Sequence, residues 1–102
     1  MELDTRLHEA VKNHDHDAIR FLVSSNVALD ERDETGWSPI FYAASLCDPK
    51  AVDILVENGC SLTLRDKDGL TPPKIAEMFG FNELGNFLTE ASRNAEKNAQ
   101  KK

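Results

Sequence analysis

The sequence contains few cysteines and no long apolar run. Its 102 residues include two cysteines, Cys47 and Cys60, which lie thirteen positions apart and outside any CxxC pair. Zinc sites and disulfide frameworks need more numerous or more closely paired cysteines, so neither is indicated. We expect both side chains to be small buried hydrophobic groups in a reducing compartment. Met1 is followed by charged residues, and the apolar stretches are too short for a signal peptide or a membrane span, so we expect a soluble intracellular protein with no membrane partner.

Basic residues are also scarce. Twelve Lys and Arg stand against eighteen Asp and Glu, giving a net charge of -6, and residues 1–88 alone hold eight bases and sixteen acids. Nucleic acid is held by a basic face that releases counterions, so we expect no nucleic-acid partner. A protein partner with a basic or apolar segment fits this charge better. The composition, 40% hydrophobic and 29% charged, is typical of one folded globular domain.

Sequence motifs of catalysis are missing as well. The chain has no nucleophile elbow, glycine-rich phosphate loop or HExxH string. The nearest approach to a chemical cluster is His14-Asp15-His16, with His8 close by in sequence. Residues i and i+2 do not face each other on a helix, so we interpret this segment as a solvated turn and keep weak metal affinity as the alternative. We therefore predict no catalytic residue, no cofactor and no metal site.

What the sequence does contain is an internal repeat with a period of 33 residues. The segment from Asp33 to Pro39 recurs as Asp66 to Pro72, and its turn glycine recurs with the same spacing. The same shift aligns an alanine and a leucine in each of three units: Ala10, Ala43 and Ala76, and Leu22, Leu55 and Leu88. A fixed period of this length indicates a repeat architecture, in which one supersecondary unit is used several times.

Each unit is predicted to form two short helices. In the Asp-x-x-Gly turn the glycine supplies a positive φ, and the Ser-Pro or Thr-Pro that follows places a hydroxyl N-cap before a proline at the first helical position. First helices are therefore expected at residues 5–13, 38–46 and 71–79. The second helices have apolar residues at i, i+3 and i+4 and end at Asn26 or Gly59, residue types that suit the left-handed position after a helix.

The residues that follow the turn resemble a known family. Ser38 to Ala44, SPIFYAA, is similar to the signature T-P-L-H-x-A of the ankyrin repeat, and the likeness extends over roughly residues 4–90. Phe41 and Lys74 replace the signature histidine in the later units, so His8 is the only histidine of the family type. The resemblance implies an all-α fold: an ankyrin-repeat solenoid of helix-turn-helix units with β-turn or hairpin-like connections.

The repeat also predicts how the chain is organised. We expect one repeat domain over residues 1–90, with units of about 1–32, 33–65 and 66–90. A basic tail, residues 91–102, follows it and is predicted to be either helical or disordered. Three units are near the minimum for a stable stack, so we expect marginal stability.

The resemblance further implies a binding surface. In ankyrin repeats the turn tips and the exposed side of each first helix line a concave face that binds other proteins. The candidate residues at those positions are Arg32, Glu34, Arg65, Lys67, Trp37, Leu70, Ser45, Leu46, Met78 and Phe79. Trp37 and Leu70 directly follow the turn glycines, so we expect them to be substantially exposed. Exposed aromatic and aliphatic side chains are typical of interface hot spots, so we also expect both residues to contribute to binding. The alternative is that Trp37 folds over its own turn or over Pro39, that Leu46 belongs to the core, and that Phe79 seals the last repeat in place of a missing fourth.

Three functional hypotheses follow. The favoured one is a non-enzymatic protein-protein interaction module, a monomer in the cytoplasm with nuclear residence left open. The second is an N-terminal regulatory segment of a larger enzyme, channel or BTB-type adaptor. The third, and least favoured, is a hydrolytic or metal-dependent activity centred on His8, His14 and His16.

Overall fold

The part of the chain that the structure describes folds into six helices. A computed structural model describes residues 4–100, with side chains described for residues 4–94. The helices are α1 (Arg6–Lys12), α2 (His16–Ser24), α3 (Pro39–Ser45), α4 (Pro49–Glu57), α5 (Pro72–Met78) and α6 (Asn82–Gln100). Over the described range no β-strand forms, which confirms the all-α prediction. None of the helices in that range is both long enough and apolar enough to cross a membrane.

The helices stack in two rows. The first row consists of α1, α3 and α5, each of which contacts its neighbour, and the second row consists of α2, α4 and α6. Within each unit the first helix also packs against the second. The helix pairs therefore repeat along the chain with the period of the sequence, as a solenoid requires.

The core lies between the two rows and contains the residues that the 33-residue shift aligns. Ala43 and Ala76 are fully buried in the first row, and Leu55 and Leu88 are fully buried in the second row. Alanine has a small side chain, so neighbouring first helices approach each other closely. The largest fully buried side chain is that of Phe41, which stands where the family signature has histidine.

The turns carry the left-handed residues that the sequence predicted. Asn26 and Gly59, which follow the second helices, have φ values of 62° and 89°. The turn between the paired helices contains a left-handed residue as well, at His14, Cys47 and Gly80, which are equivalent under the 33-residue shift. This turn places Cys47 at the surface, so the prediction of two buried cysteines holds for Cys60 and is wrong for Cys47.

The predicted hydroxyl caps are also wrong. Ser38 and Thr71 stand at the N-cap positions of α3 and α5, but neither side chain bonds to a helical N–H. The Phe41 N–H is already bonded to the Ser38 carbonyl, and two successive prolines remove the first two donors after Thr71. Side-chain caps occur instead on the second helices, where Asp15 caps α2 and Asp48 caps α4.

Helix α6 differs from its counterparts in length. It has 19 residues, whereas α2 and α4 have nine each. Its helical backbone continues to residue 100 and so includes most of residues 91–102, the tail that was predicted to be either helical or disordered; residues 101 and 102 lie outside the described range.

Candidate functional site

The turn tips are built by an aspartate in each connection. Across the first tip, the Asp33 N–H donates to the Trp37 carbonyl at 2.9 Å and the Gly36 N–H donates to the Asp33 carbonyl at 2.9 Å. The second tip repeats this hairpin-like pattern between Asp66 and Leu70. Each carboxylate also accepts backbone N–H groups of its own turn, as aspartate does in an Asx turn.

Hydrogen bonding keeps these carboxylates ionised. Burial by itself would raise the pKa of Asp33, but the hydrogen bonds that its carboxylate accepts from Thr35, Tyr42 and the backbone lower it to about 2. The pKa of Asp66 is lowered in the same way, since the hydrogen bond from Trp37 and those from the backbone outweigh burial. A carboxyl group that is ionised at neutral pH does not act as a proton donor. These two carboxylates instead hold the backbone of the turn tips through the hydrogen bonds that they accept.

Trp37 joins all three units. Its carbonyl accepts a hydrogen bond from His8 Nε2 of the first unit at 2.9 Å, and its Nε1 donates to Asp66 Oδ2 of the third unit at 3.0 Å. The indole also stacks on Phe41 at 5.8 Å between ring centroids and meets Tyr42 edge-on at 4.9 Å. Trp37 is consequently half-buried, and the contacts of its indole are with Phe41, Tyr42 and Asp66.

Leu70 occupies the equivalent place in the third unit and is half-buried too, packed against the core. The expectation that Trp37 and Leu70 are substantially exposed is therefore corrected. For Trp37 the physical reason is that the indole N–H needs a partner when the ring is partly buried, and the neighbouring unit supplies one in Asp66.

The charged residues of the tips bond to one another's backbone. Arg32 Nη1 donates to the carbonyl of Arg65 at 2.6 Å, and Lys67 Nζ donates to the carbonyl of Glu34 at 2.8 Å. All four side chains remain exposed. They link neighbouring tips and at the same time form a charged rim.

Three large apolar side chains lie exposed where the first helices end. Leu46 is 41% exposed, Met78 59% and Phe79 53%. Leu46 and Phe79 are equivalent residues, each at the C-cap of a first helix, and α3 contacts α5. We call these three residues the end-of-helix patch. Ser45, beside it, is half-buried and donates its hydroxyl hydrogen bond to the backbone of its own helix.

The histidines at the first inter-helix turn contact the second unit. His14 Nδ1 lies 2.8 Å from Asp48 Oδ2, and His16 Nε2 lies 2.9 Å from both oxygens of the same carboxylate. Asp48 is buried and also caps α4 by accepting the Ala51 N–H. We call His14, His16 and Asp48 the histidine clasp. The segment is a turn in which His14 and Asp15 are exposed, as expected, but both histidine rings also bridge two repeats, which was not predicted.

Ionisation of Asp48 is favoured within the clasp. Burial by itself would raise its pKa, but the hydrogen bonds from His14 and His16 outweigh burial and lower the pKa. The role of Asp48 was not predicted from the sequence, although the sequence contains a signal for it. Asp48 is the equivalent of Asp15, and both precede a second helix at its N-cap.

The third histidine is engaged elsewhere. His8 is buried and bonds to the Trp37 carbonyl, so it does not join His14 and His16 on Asp48. The side chains described for this chain include no group of three His, Cys, Asp or Glu residues placed to hold a metal ion. All three histidines thus make hydrogen bonds between repeats: His14 and His16 bond to Asp48, and His8 bonds to Trp37.

Comparison with known proteins agrees with this architecture. A family model of ankyrin repeats matches residues 5–101 with three copies. The chain belongs to the ankyrin repeat family. Ankyrin repeats generally mediate protein-protein interactions and are generally non-catalytic. The repeat family also accounts for the preserved 33-residue period in the core and the turns.

Several curated ankyrin-repeat relatives are longer than this chain. It is 30% identical to the NAD-capped RNA hydrolase NUDT12 of Homo sapiens over 91 residues, which cover 88% of this chain and 20% of the relative. It is 32% identical to the putative ankyrin repeat protein YahD of Escherichia coli (strain K12) over 75 residues, covering 69% and 37%. It is 31% identical to the protein phosphatase 1 regulatory subunit 27 of Mus musculus over 71 residues, covering 70% and 46%. The chain therefore spans about a fifth of the length of NUDT12.

Proposed function

We propose that this ankyrin-repeat chain is a non-catalytic protein-protein interaction module that binds a partner protein through the end-of-helix patch and the neighbouring turn tips. One observation supports this proposal above the others. Leu46, Met78 and Phe79 are exposed together at the ends of stacked helices, while the other apolar residues of the first row lie in the core. Exposed apolar patches mark interaction sites, and aromatic and methionine side chains are enriched at protein interfaces.

The remaining candidate residues support the patch in different ways. Trp37 and Leu70 are half-buried and hold the tips in place beneath the charged rim. The rim residues, Arg32, Glu34, Arg65 and Lys67, include both signs of charge, so they contribute to orienting a partner during encounter. The partner on this face has an apolar segment, and the module binds it as a monomer. Two unpaired cysteines fit residence in the reducing cytoplasm or nucleus.

A second candidate function is regulation within a larger protein. The chain covers 20% of NUDT12 and 46% of the phosphatase 1 regulatory subunit 27, so the same fold occurs inside longer chains. The two candidates differ in the size of the native product. An immunoblot of source cells with an antibody against this chain would show a band near 11.4 kDa for a separate module and a larger band for a segment.

The patch is tested by the double variant Leu46→Ser and Phe79→Ser. The matched control is Phe21→Ser, because Phe21 is 68% exposed but lies on α2 in the second row. Trp37 is not substituted, since the bond from its indole to Asp66 and its stacking on Phe41 would be lost and the stack itself would be weakened.

The measurement is quantitative affinity capture from a lysate of the source cells, with circular dichroism to verify the fold of each variant. We expect the recovery of at least one protein to fall about tenfold or more with the double variant and to stay unchanged with Phe21→Ser, because hot-spot residues each contribute more than about 1 kcal/mol. Equal recovery with all three proteins would refute the patch as the binding site.

A further inference from the structure

A groove lies between α4 and α6, in the second row of helices. Its volume is about 530 Å³, and it is lined by Cys47, Pro49, Val52, Asp53, Glu83, Leu84 and Phe87. This volume is within the range of about 300–1,000 Å³ that is typical of ligand pockets in proteins. None of the end-of-helix patch residues lines it. We call the boundary between α2 and α4 the first seam and the boundary between α4 and α6 the second seam.

The internal repeat explains why the second seam is open. Under the 33-residue shift, Cys47 and Pro49 are the equivalents of His14 and His16. In the first seam these two histidine rings reach across the boundary and hydrogen-bond to Asp48 of the next unit. In the second seam the cysteine and the proline are too short to reach across.

The acceptor of the clasp is replaced too. Phe81 stands where the first seam has Asp48, so the second seam lacks the carboxylate as well as the two rings. The same scaffold therefore forms one seam that is closed by hydrogen bonds and one that is left as a groove.

Equivalent exposed residues at the edges of the two seams carry opposite charges. Asp53 and Glu83 line the groove with exposed carboxylates, and no Lys or Arg is among its lining residues in the described part of the chain. Their equivalents in the first seam are Arg20 and Lys50. Two carboxylates at the edge of one groove repel each other, and a cation placed between them would relieve that repulsion.

The floor of the groove is apolar. Val52 and Leu84 are buried at its base, and the Phe87 ring at its side is 43% exposed. An apolar side chain inserted here would remove the exposed part of that ring from water, which is favourable. The groove thus combines an apolar floor with an acidic rim.

We propose that the second seam binds a short segment of a partner protein in which an apolar anchor residue lies next to lysine or arginine residues. The anchor packs on Val52, Leu84 and Phe87, and the basic neighbours pair with Asp53 and Glu83. This inference goes beyond the proposed function, because it concerns a second surface and specifies the chemistry of the segment bound there.

The test uses random 12-residue peptides displayed on phage and selected on the whole chain. We expect the selected peptides to combine leucine, isoleucine or phenylalanine with lysine or arginine. The best peptide is then labelled with fluorescein, and its binding to the wild type and to the double variant Asp53→Arg and Glu83→Lys is measured by fluorescence anisotropy. We call this double variant the groove variant. Both side chains are exposed, and the substitutions copy the residues of the first seam, so the fold is retained. We expect the affinity to fall at least tenfold.

The matched control is the double variant Glu9→Lys and Asp68→Arg. It changes the net charge by the same amount at exposed positions on α1 and on the second turn tip. We expect its affinity for the peptide to stay within about twofold of the wild type at physiological salt, because neither residue lines the groove and interactions between exposed charges are weakened by salt. A loss as large as that of the groove variant would mean that only the overall charge matters, and would overturn the proposal.

Other outcomes would also overturn it. Selected peptides without basic residues, or an equal affinity for the groove variant, would show that the second seam is not the site. If the double variant Leu46→Ser and Phe79→Ser lost peptide binding and the groove variant kept it, this inference would be refuted and the proposed function would be supported. A dimer detected by light scattering, and abolished by the groove variant, would mean that a second copy fills the seam.

The exposed thiol of Cys47 gives one more control, because it lies in the groove. Cys60 does not compete for a thiol label, since it is buried and burial raises its pKa to about 12. A nitroxide spin label attached to Cys47 is expected to broaden the NMR resonances of the bound peptide. If it broadened the amide signals of residues 95–102 in the free chain instead, the chain itself would occupy the seam, and the proposal would be wrong.

Discussion

His14, Cys47 and Gly80 occupy the same place in the turn between paired helices. Their φ values are 55°, 51° and 83°. Glycine adopts this left-handed conformation without steric cost, whereas other residues lose about 1–2 kcal/mol. His14 gains a hydrogen bond to Asp48 in return, while the Cys47 side chain is exposed at the surface. Strain at Cys47 therefore lowers the free energy of unfolding.

The first prediction concerns this strain. Replacing Cys47 by glycine is expected to raise the free energy of unfolding by about 0.5 kcal/mol, because relief of strain exceeds the added entropy of the unfolded chain. Urea denaturation under reducing conditions measures the effect. Cys47→Ala is the control, since alanine loses the thiol but keeps the strained backbone. A glycine variant no more stable than the alanine variant would contradict the prediction.

The second prediction concerns pH. The folded-state pKa of Asp33 is about 2, below its ordinary value of 3.8, so its ionisation stabilises the fold at pH 5 and above. That stability is lost as the pH falls through the range from about 5 to 2. Because the carboxylate is partly solvated, the contribution is of the order of 1 kcal/mol. The difference in unfolding free energy between the wild type and Asp33→Asn should therefore shrink from pH 5 to pH 2 in urea titrations, and a constant difference would refute this account.

At the scale of helices, the same cap has two different surroundings. Asp15 and Asp48 are equivalent, and each accepts a backbone N–H at the start of a second helix, at 3.1 and 3.2 Å. Asp15 is exposed, whereas Asp48 is buried and also accepts the two histidine rings of the clasp. Comparing the two caps therefore isolates the contribution of the clasp.

The third prediction uses this comparison. Asp15→Ala should lower the free energy of unfolding by about 1 kcal/mol, the usual value of a helix cap. Asp48→Ala should lower it by about 2–3 kcal/mol, because both histidines lose their partner in addition to the cap. Thermal or urea denaturation at pH 6 to 7 distinguishes the two. Equal losses would mean that the clasp adds nothing to stability.

The positions of the helices could be predicted from the sequence, but the contacts between repeats could not. Helix positions follow from local features, such as the proline that begins α3 and the asparagine or glycine that follows α2 and α4. The bonds from His8 to Trp37 and from Trp37 to Asp66 each join residues 29 positions apart. Such bonds depend on how side chains meet across the stacked helices, which periodicity alone does not specify. For the same reason the half-burial of Trp37 was missed.

At the scale of the whole molecule, Trp37 makes the three units depend on one another. It bonds to the first unit through its carbonyl and to the third unit through its indole, while its ring packs within the second. In a repeat stack, stability is shared between the units and the interfaces between them. With three units and a shared central residue, no unit is expected to unfold alone.

The fourth prediction is that the chain unfolds in one cooperative transition. Trp37 is the only tryptophan, so its fluorescence reports the centre of the stack, whereas far-ultraviolet circular dichroism reports all six helices. In a urea titration the two signals should give the same midpoint and the same slope. Midpoints that differ would show that an end unit separates first.

The difference between the two seams has an evolutionary consequence. The first seam is closed by two histidines and an aspartate, and the second has cysteine, proline and phenylalanine at the same places, yet the helices around both keep one pattern. Repeated units can therefore diverge at their boundaries while selection preserves their shared core. In a short repeat protein, the boundary between copies is thus a place where new specificity can arise without a new fold.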